Sequence, residues 1–368
     1  MRTMLLLAAA LPLTSSLAAA TSPPHRQEIT VDWIFSDEGE ALGTPSDALW
    51  TSDGTILLRD GSRAKGERTF ERVDPTSLRR TTVVDARAAL ASLAGEVADD
   101  ALPEELEWPE STDRAGRLGA YVFAGDLYLL RLDVSRFDRL TRTEAEESLP
   151  RLSPDGATLA FVRGNDLWLR ALASGEETRV TQDGSDTVLN GTLSWVYWEE
   201  IFSRAEGGIR WAPDSSAVAF LRSDDSPVAV STFVDIVPET PRLIEQRYPT
   251  AGTANPIVEL GVYDLAAGRT SWLDRSTVPY EYLVQIEWLE DAGALGVVTL
   301  NRAQDRADLY RVERSGAARR VLTETDPAWV NLIDFHFLSD GSGLVASSQS
   351  TGHNHLYRYS LDGARLAA

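Results

Sequence analysis

Residues 190–204, Asn-Gly-Thr-Leu-Ser-Trp-Val-Tyr-Trp-Glu-Glu-Ile-Phe-Ser-Arg, carry the pattern in this chain most suited to chemistry. Two adjacent carboxylates, Glu199 and Glu200, stand among Trp195, Tyr197, Trp198, Ile201 and Phe202. Acids on a solvated surface need no such neighbours, because exposure is their ordinary state. Carboxylates set against an apolar wall are suited to holding a cation, an ammonium above all, through charge-assisted hydrogen bonds. A hydrogen bond to a charged group contributes about 1.5–3 kcal/mol. Repulsion between two empty acids also keeps the pair ready for positive charge. The plain alternative is a Glu pair on the wet face of a helix, since 193–204 is a candidate helix in either case.

Other reactive groups are few. There is no cysteine, which excludes disulfides, thiolate metal sites and cysteine nucleophiles. The histidines are His25, His336, His353 and His355, and no H-E-x-x-H occurs. His353 and His355 flank Asn354 in what reads as a hairpin loop and are expected at the surface. No G-x-S-x-G is present; Gly341-Ser342-Gly343 has the wrong spacing and sits in a turn. No catalytic nucleophile, base or acid is therefore assigned. No acidic cluster has the spacing of a Ca²⁺ loop, and neither a metal nor a cofactor is expected.

The elements that must position the Glu pair read as short strands. Ser153-Pro154-Asp155-Gly156 precedes an apolar run, Leu159 to Arg163. Asn165-Asp166 then turns the chain into Leu167-Trp168-Leu169, and Ser174-Gly175 turns it again before Thr178 to Thr181. Looser copies start near Trp50, Gly119, Trp211, Trp288 and Phe337. Asp-Gly and Asn-Asp suit tight hairpin turns, and β-branched and aromatic runs suit strands. Units of about 40–50 residues with about four strands are the mark of a propeller blade. The fold expected is all-β: a β-propeller, incomplete at about six blades of eight, with one short inserted helix carrying the Glu pair. An irregular β-sandwich is the competing architecture. A short helix is also expected over 86–97, and the acidic, proline-containing 102–114 reads as a surface loop. The last stretch, 356–363, reads as the middle of a blade, with 364–368 closing nothing.

Composition adds bounds. With 368 residues and 43% hydrophobic composition, a large core is possible. A net charge of −21 repels phosphate backbones, so no nucleic-acid partner is expected. Residues 1–20 read as a signal peptide: Arg2, an apolar run over 4–13, then Ala18-Ala19-Ala20 as small residues for cleavage. The run is too short and broken to span a bilayer, and no later segment is apolar enough. The expectation is a secreted or periplasmic protein with no membrane span after cleavage.

With these residues in view, the sequence resembles the dipeptidyl peptidase IV group of serine peptidases. The resemblance lies in Trp195-Val196-Tyr197 followed by Glu199-Glu200, then in Trp211-Ala212-Pro213-Asp214, Asp224-Asp225-Ser226-Pro227-Val228, and the run Gln246 to Pro256. It implies that 21–368 is the N-terminal propeller of such an enzyme, with the catalytic α/β-hydrolase domain absent from this sequence. Glu199 and Glu200 would grip the free amine of a peptide substrate. Arg142 stands at about the place where the group carries an arginine that contacts a substrate carbonyl; it also fits the ordinary end of a blade strand. The implied activity is release of X-Pro or X-Ala dipeptides through an acyl-enzyme formed on the missing domain. The expected partners are a peptide with a free N-terminus and that hydrolase domain; a homodimer is compatible with the sequence but not dictated by it. A non-catalytic envelope propeller that binds a protein or peptide is the alternative, although it gives the Glu pair no purpose. A relative cleaving blocked or internal peptides has no use for a free-amine site either.

Overall fold

The computed structural model describes residues 29–202 and 207–367. The expected signal peptide, 1–20, lies outside them. The chain is all-β with a few short helices. Its strands join antiparallel neighbours in chain order, forming successive small sheets, an arrangement consistent with propeller blades.

The first sheet holds Asp47–Trp50, Ile56–Arg59, Phe70–Val73 and Arg80–Thr82. The second holds Ser111–Thr112, Leu118–Phe123, Asp126–Arg131 and Arg136–Arg139; the third Glu147–Leu152, Thr158–Arg163, Asp166–Ala171 and Glu177–Arg179. The fourth has five strands: Val188–Asn190, Ile209–Trp211, Ala217–Asp224, Ile257–Asp264 and Arg269–Trp272. A two-stranded hairpin, Val230–Asp235 with Arg242–Arg247, projects from it. A further sheet spans Tyr282–Trp288, Ala294–Leu300, Arg306–Glu313 and Ala318–Thr325, and the last spans Phe335–Phe337, Leu344–Ser348, His355–Tyr359 and Arg365–Ala367.

Local chemistry explains the turns. In the third sheet, Ser153 Oγ and the Ala157 N–H both donate to Asp155, at 2.6 and 2.9 Å, and Gly156 takes φ +71°. The next turn places Gly164 and Asn165 at φ +59° and +60°, the paired positive angles that suit a tight hairpin to strand twist. One bonding device recurs in the second and third sheets. Thr141 Oγ1 accepts from the Leu127 N–H, and Thr181 Oγ1 from the Leu167 N–H. Arg139 and Arg179 each reach back to the carbonyl two residues on and to the carboxylate of Asp126 or Asp166. The repeat visible in the sequence is thus a repeat of polar contacts as well as of strands.

Neighbouring sheets lock in chain order. Trp211 Nε1 donates to the Arg151 carbonyl at 2.8 Å, tying the fourth sheet to the third. Trp288 Nε1 donates to the Arg210 carbonyl at 3.0 Å, tying the fourth to the sheet that follows the hairpin. Gly296 lies flat beneath Phe335 and Phe337 of the last sheet; a Cβ there would stand 2.5 Å from both rings. Separate apolar clusters bridge these faces, with Phe161, Phe220, Leu295 and Val297 fully buried.

Two short helices that the sequence patterns do not announce precede the first sheet: Val31–Ile34 and Asp37–Gly43 are capped by Thr30 and Ser36, whose side chains accept from the N–H groups of Trp33 and Gly39. Three expectations need correction. The helix sought in 86–97 stops at Ala91. The segment 102–114 is only partly a surface loop: Leu106 and Asp113 are buried, and Arg59 donates to the Leu106 carbonyl while pairing with Glu107. Finally, Arg365–Ala367 pairs with His355–Tyr359, so the last sheet has four strands rather than stopping in its middle. Among the described residues, no helix is long and apolar enough to cross a membrane.

Candidate functional site

The Glu pair lies in an insertion that splits one strand position. Val188–Asn190 and Ile209–Trp211 both pair with the same neighbour, Ala217–Asp224, and the chain between them leaves the sheet. Two glycines pinch its base: the Gly191 N–H donates to the Leu221 carbonyl, the Gly208 N–H to the Gly191 carbonyl, and the Leu221 N–H to the Gly208 carbonyl, at 2.8–2.9 Å. Gly191 takes φ +80°, and a Cβ there would meet Ile209 at 3.0 Å and Val162 at 3.2 Å, so no larger residue fits comfortably. Before the pinch, buried Asn190 donates to the Asn165 carbonyl and to Asp183.

Within the insertion the chain winds into the expected helix, but its geometry is not α throughout. The Trp198 N–H reaches the Ser194 carbonyl, whereas the Phe202 N–H reaches the Tyr197 carbonyl, five residues back. Residues Tyr197–Ile201 therefore form a π turn, an uncommon geometry that tends to occur at functional sites. Tyr197 points into the core and accepts at its hydroxyl from the Leu283 N–H at 3.1 Å. Glu199 is half-buried and Glu200 is exposed, so the wall around the second carboxylate is wetter than the sequence suggests.

Trp195 and Trp198 line a cavity of about 1100 Å³. Arg151, Glu110, Asp225 and Arg247 share its wall, so it offers both signs of charge. Glu199 and Glu200 follow directly on Trp198 in the turn but are not among the lining residues. Trp195 also packs on Tyr248, ring centroids 4.6 Å apart, which fixes the turn against the foot of the hairpin. Arg247 donates to the Val228 carbonyl at 2.7 Å. Arg142 lies elsewhere: it is exposed, directly after Thr141 of the recurring device, and its guanidinium is bonded to Glu96. The structure thus brings the two Glu residues together on one turn and does not bring Arg142 to the same cavity wall. His353 and His355 are exposed, and the described residues contain no group of three or more potential metal ligands.

Sequence reasoning singled out neither Glu110 nor Arg151, and it read Asp225 only as part of a longer motif. Burial raises the carboxyl of Glu110, partly offset by Arg151, and likewise raises that of Asp225, to which Ser223 Oγ donates at 2.6 Å. An acid raised in the fold binds its proton more tightly there than in the unfolded chain. The stability it contributes is fully present below its unfolded pKa and is lost as pH rises through the folded one. Asp225→Asn is accordingly expected to gain stability on the wild type between about pH 4 and pH 7. Urea midpoints of both proteins at the two pH values check this; an unchanged difference contradicts it.

Comparison with known proteins gives a consistent result. Residues 117–367 match the family described as the dipeptidyl peptidase IV (DPP IV) N-terminal region. A probable dipeptidyl peptidase 4 of Arthroderma benhamiae is 28% identical over 262 residues, covering 67% of this chain and 33% of that protein. A probable dipeptidyl peptidase 4 of Emericella nidulans is 32% identical over 232 residues, 57% of this chain and 30% of that protein. The crystal structure of Porphyromonas gingivalis dipeptidyl peptidase 4 shares the fold, with a TM-score of 0.72 at 22% identity, over 93% of this chain and 49% of that one. A putative dipeptidyl aminopeptidase IV from Bacteroides ovatus matches with a TM-score of 0.61 at 20% identity, over 87% of this chain and 44% of that one. The chain spans about a third of the length of these curated relatives and about half that of the solved ones.

Proposed function

Because the chain belongs to the dipeptidyl peptidase IV N-terminal-region family, we propose that it is the substrate-gating and amine-recognition part of a secreted or periplasmic serine dipeptidyl aminopeptidase. Its sheets are then about six blades of an eight-bladed propeller. The observation that carries the reading is the π turn: two carboxylates on a fixed turn whose preceding tryptophans wall a large cavity. An enzyme that removes two residues must measure from the free amine, and a carboxylate pair supplies that reference point. Glu199, half-buried, would make the stronger contact; Glu200, exposed, the more salt-sensitive one. Arg142 would reach a substrate carbonyl only after leaving Glu96. Bond cleavage, with release of X-Pro or X-Ala dipeptides, belongs to a hydrolase domain that this sequence does not contain. A second copy of the chain is a further proposed partner.

The genomic reading frame tests the catalytic half of the proposal. It should continue past Ala368 into a G-x-S-x-G within about 200–300 residues, followed by Asp and His. The longer protein should hydrolyse an X-Pro amide, and replacing that serine by alanine should abolish turnover. A stop codon directly after Ala368 in an intact genome contradicts it and leaves a non-catalytic peptide-binding protein in its place.

A further inference from the structure

Resting on the amine-recognition reading above, we infer that Tyr197 is the positioning residue of the glutamate pair, acting through the bond between its hydroxyl and the backbone of the neighbouring sheet. Tyr197 is 1% exposed, the most deeply buried side chain of the turn. It holds the turn at two points. Its carbonyl accepts from the Phe202 N–H and closes the turn around Glu199 and Glu200. Its hydroxyl accepts from the Leu283 N–H at 3.1 Å, across 86 residues of sequence. The partner strand, Tyr282–Trp288, changes register against Ala294–Leu300 between Leu283 and Gln285, so the donor lies at an irregularity in its own ladder.

The geometry separates this bond from general packing. The Tyr197 ring belongs to the core cluster with Leu193, Leu221, Leu260 and Leu283, and a phenylalanine keeps that contact. Val196, Ile201 and Phe202 also pack against that core, but the hydroxyl makes the directional bond from the turn to the backbone of the next sheet. Burial drives the phenol well above its ordinary pKa, so the hydroxyl stays neutral throughout the working range and the anchor does not titrate away. Because Glu199 and Glu200 follow Tyr197 by two and three positions, loosening the anchor displaces both carboxylates together, while Arg151, Asp225 and Arg247 of the neighbouring cavity wall stand on other segments and stay in place.

The test is a ratio of affinities, measured calorimetrically on the full chain with Ala-Pro-Ala amide and its N-acetylated form. Losing one charge-assisted hydrogen bond to the amine is expected to cost roughly tenfold to a hundredfold in affinity. Tyr197→Phe should therefore weaken the free-amine peptide by about that factor while leaving the acetylated peptide within about twofold, so that the discrimination collapses. A purely structural role lowers the amount of binding-competent protein for both peptides equally and leaves the ratio unmoved; that result overturns the inference. If Tyr197→Phe fails to fold, replacing the Leu283 residue by its α-hydroxy acid deletes the same bond from the donor side with every side chain intact. The ratio must collapse there too, and its persistence overturns the inference. A wild-type chain that shows no preference for the free amine overturns the underlying reading as well, and so is distinct from a variant that keeps a preference the wild type has.

Discussion

Replacing Glu199 and Glu200 together by glutamine lowers affinity for a free-amine peptide by roughly tenfold to ten-thousandfold and leaves affinity for the N-acetylated peptide unchanged. The range follows from one or two charge-assisted bonds at about 1.5–3 kcal/mol each, with every 1.4 kcal/mol a factor of ten. Glutamine keeps the size and the acceptor oxygen, so what is lost is charge. The two single variants should differ. Glu199, half-buried, acts where water screens less and should carry the larger share. Glu200, exposed, should contribute less and lose most of its effect in high salt. Titration calorimetry at low and high ionic strength resolves both. Equal losses for the free and blocked peptides would show that the substitutions disturb the cavity rather than the amine.

Asp166→Ala is expected to destabilise the chain by about 2–4 kcal/mol, because it leaves the buried Thr181 hydroxyl and the Gly184 N–H without the acceptor they bond. Asp166 is fully buried at the start of its strand. It accepts from Arg179 Nε at 3.1 Å, from Thr181 Oγ1 at 2.7 Å and from the Gly184 N–H at 3.0 Å. Asn190 Nδ2 stands 3.4 Å from the same carboxylate, just before the Gly191 pinch. The loss therefore reaches the base of the insertion as well as the third sheet. Urea denaturation should show a lower midpoint with little change in slope, the sign of altered stability rather than altered unfolding. A shift under about 0.5 kcal/mol, typical of surface sites, would contradict the assigned role. Asp166→Asn keeps the shape and most of the acceptor capacity and should cost less.

The strands were legible in the sequence because their turns are chemically explicit. Asp155-Gly156 announces its hairpin directly, whereas the turn expected at Asn165-Asp166 falls one residue earlier, on Gly164 and Asn165, with Asp166 already in the strand; the apolar runs between the turns have few other uses. The helices Val31–Ile34 and Asp37–Gly43 were less legible: each is shorter than the windows in which helical periodicity shows, and only Thr30 and Ser36 announce them. The buried side of 102–114 was hidden by its charge. Glu105 and Glu107 look like solvated acids until Arg59, from another sheet, is seen to pair with them.

The candidate site divides in the same way. The Glu pair and its aromatic company are contiguous in sequence, so their types and neighbours could be read directly. What surrounds them is assembled from afar. The anchor from Tyr197 to Leu283 spans 86 residues, and the Arg142 to Glu96 bond spans 46. No local pattern encodes either one. The split strand position was equally hidden, because Val188–Asn190 and Ile209–Trp211 are three residues each and acquire meaning only through a shared partner. The π turn needs the same context: nothing in Trp-Val-Tyr-Trp-Glu-Glu distinguishes an i+5 bond from an i+4 one.

Under the proposed function, this chain recognises a peptide by its free N-terminal amine. The most direct measurement is the affinity of the unmodified chain for one peptide with its amine free and with that amine acetylated, under identical conditions. Acetylation should weaken binding by at least about tenfold, the loss of one charge-assisted bond. Equal affinity for the two peptides would contradict it.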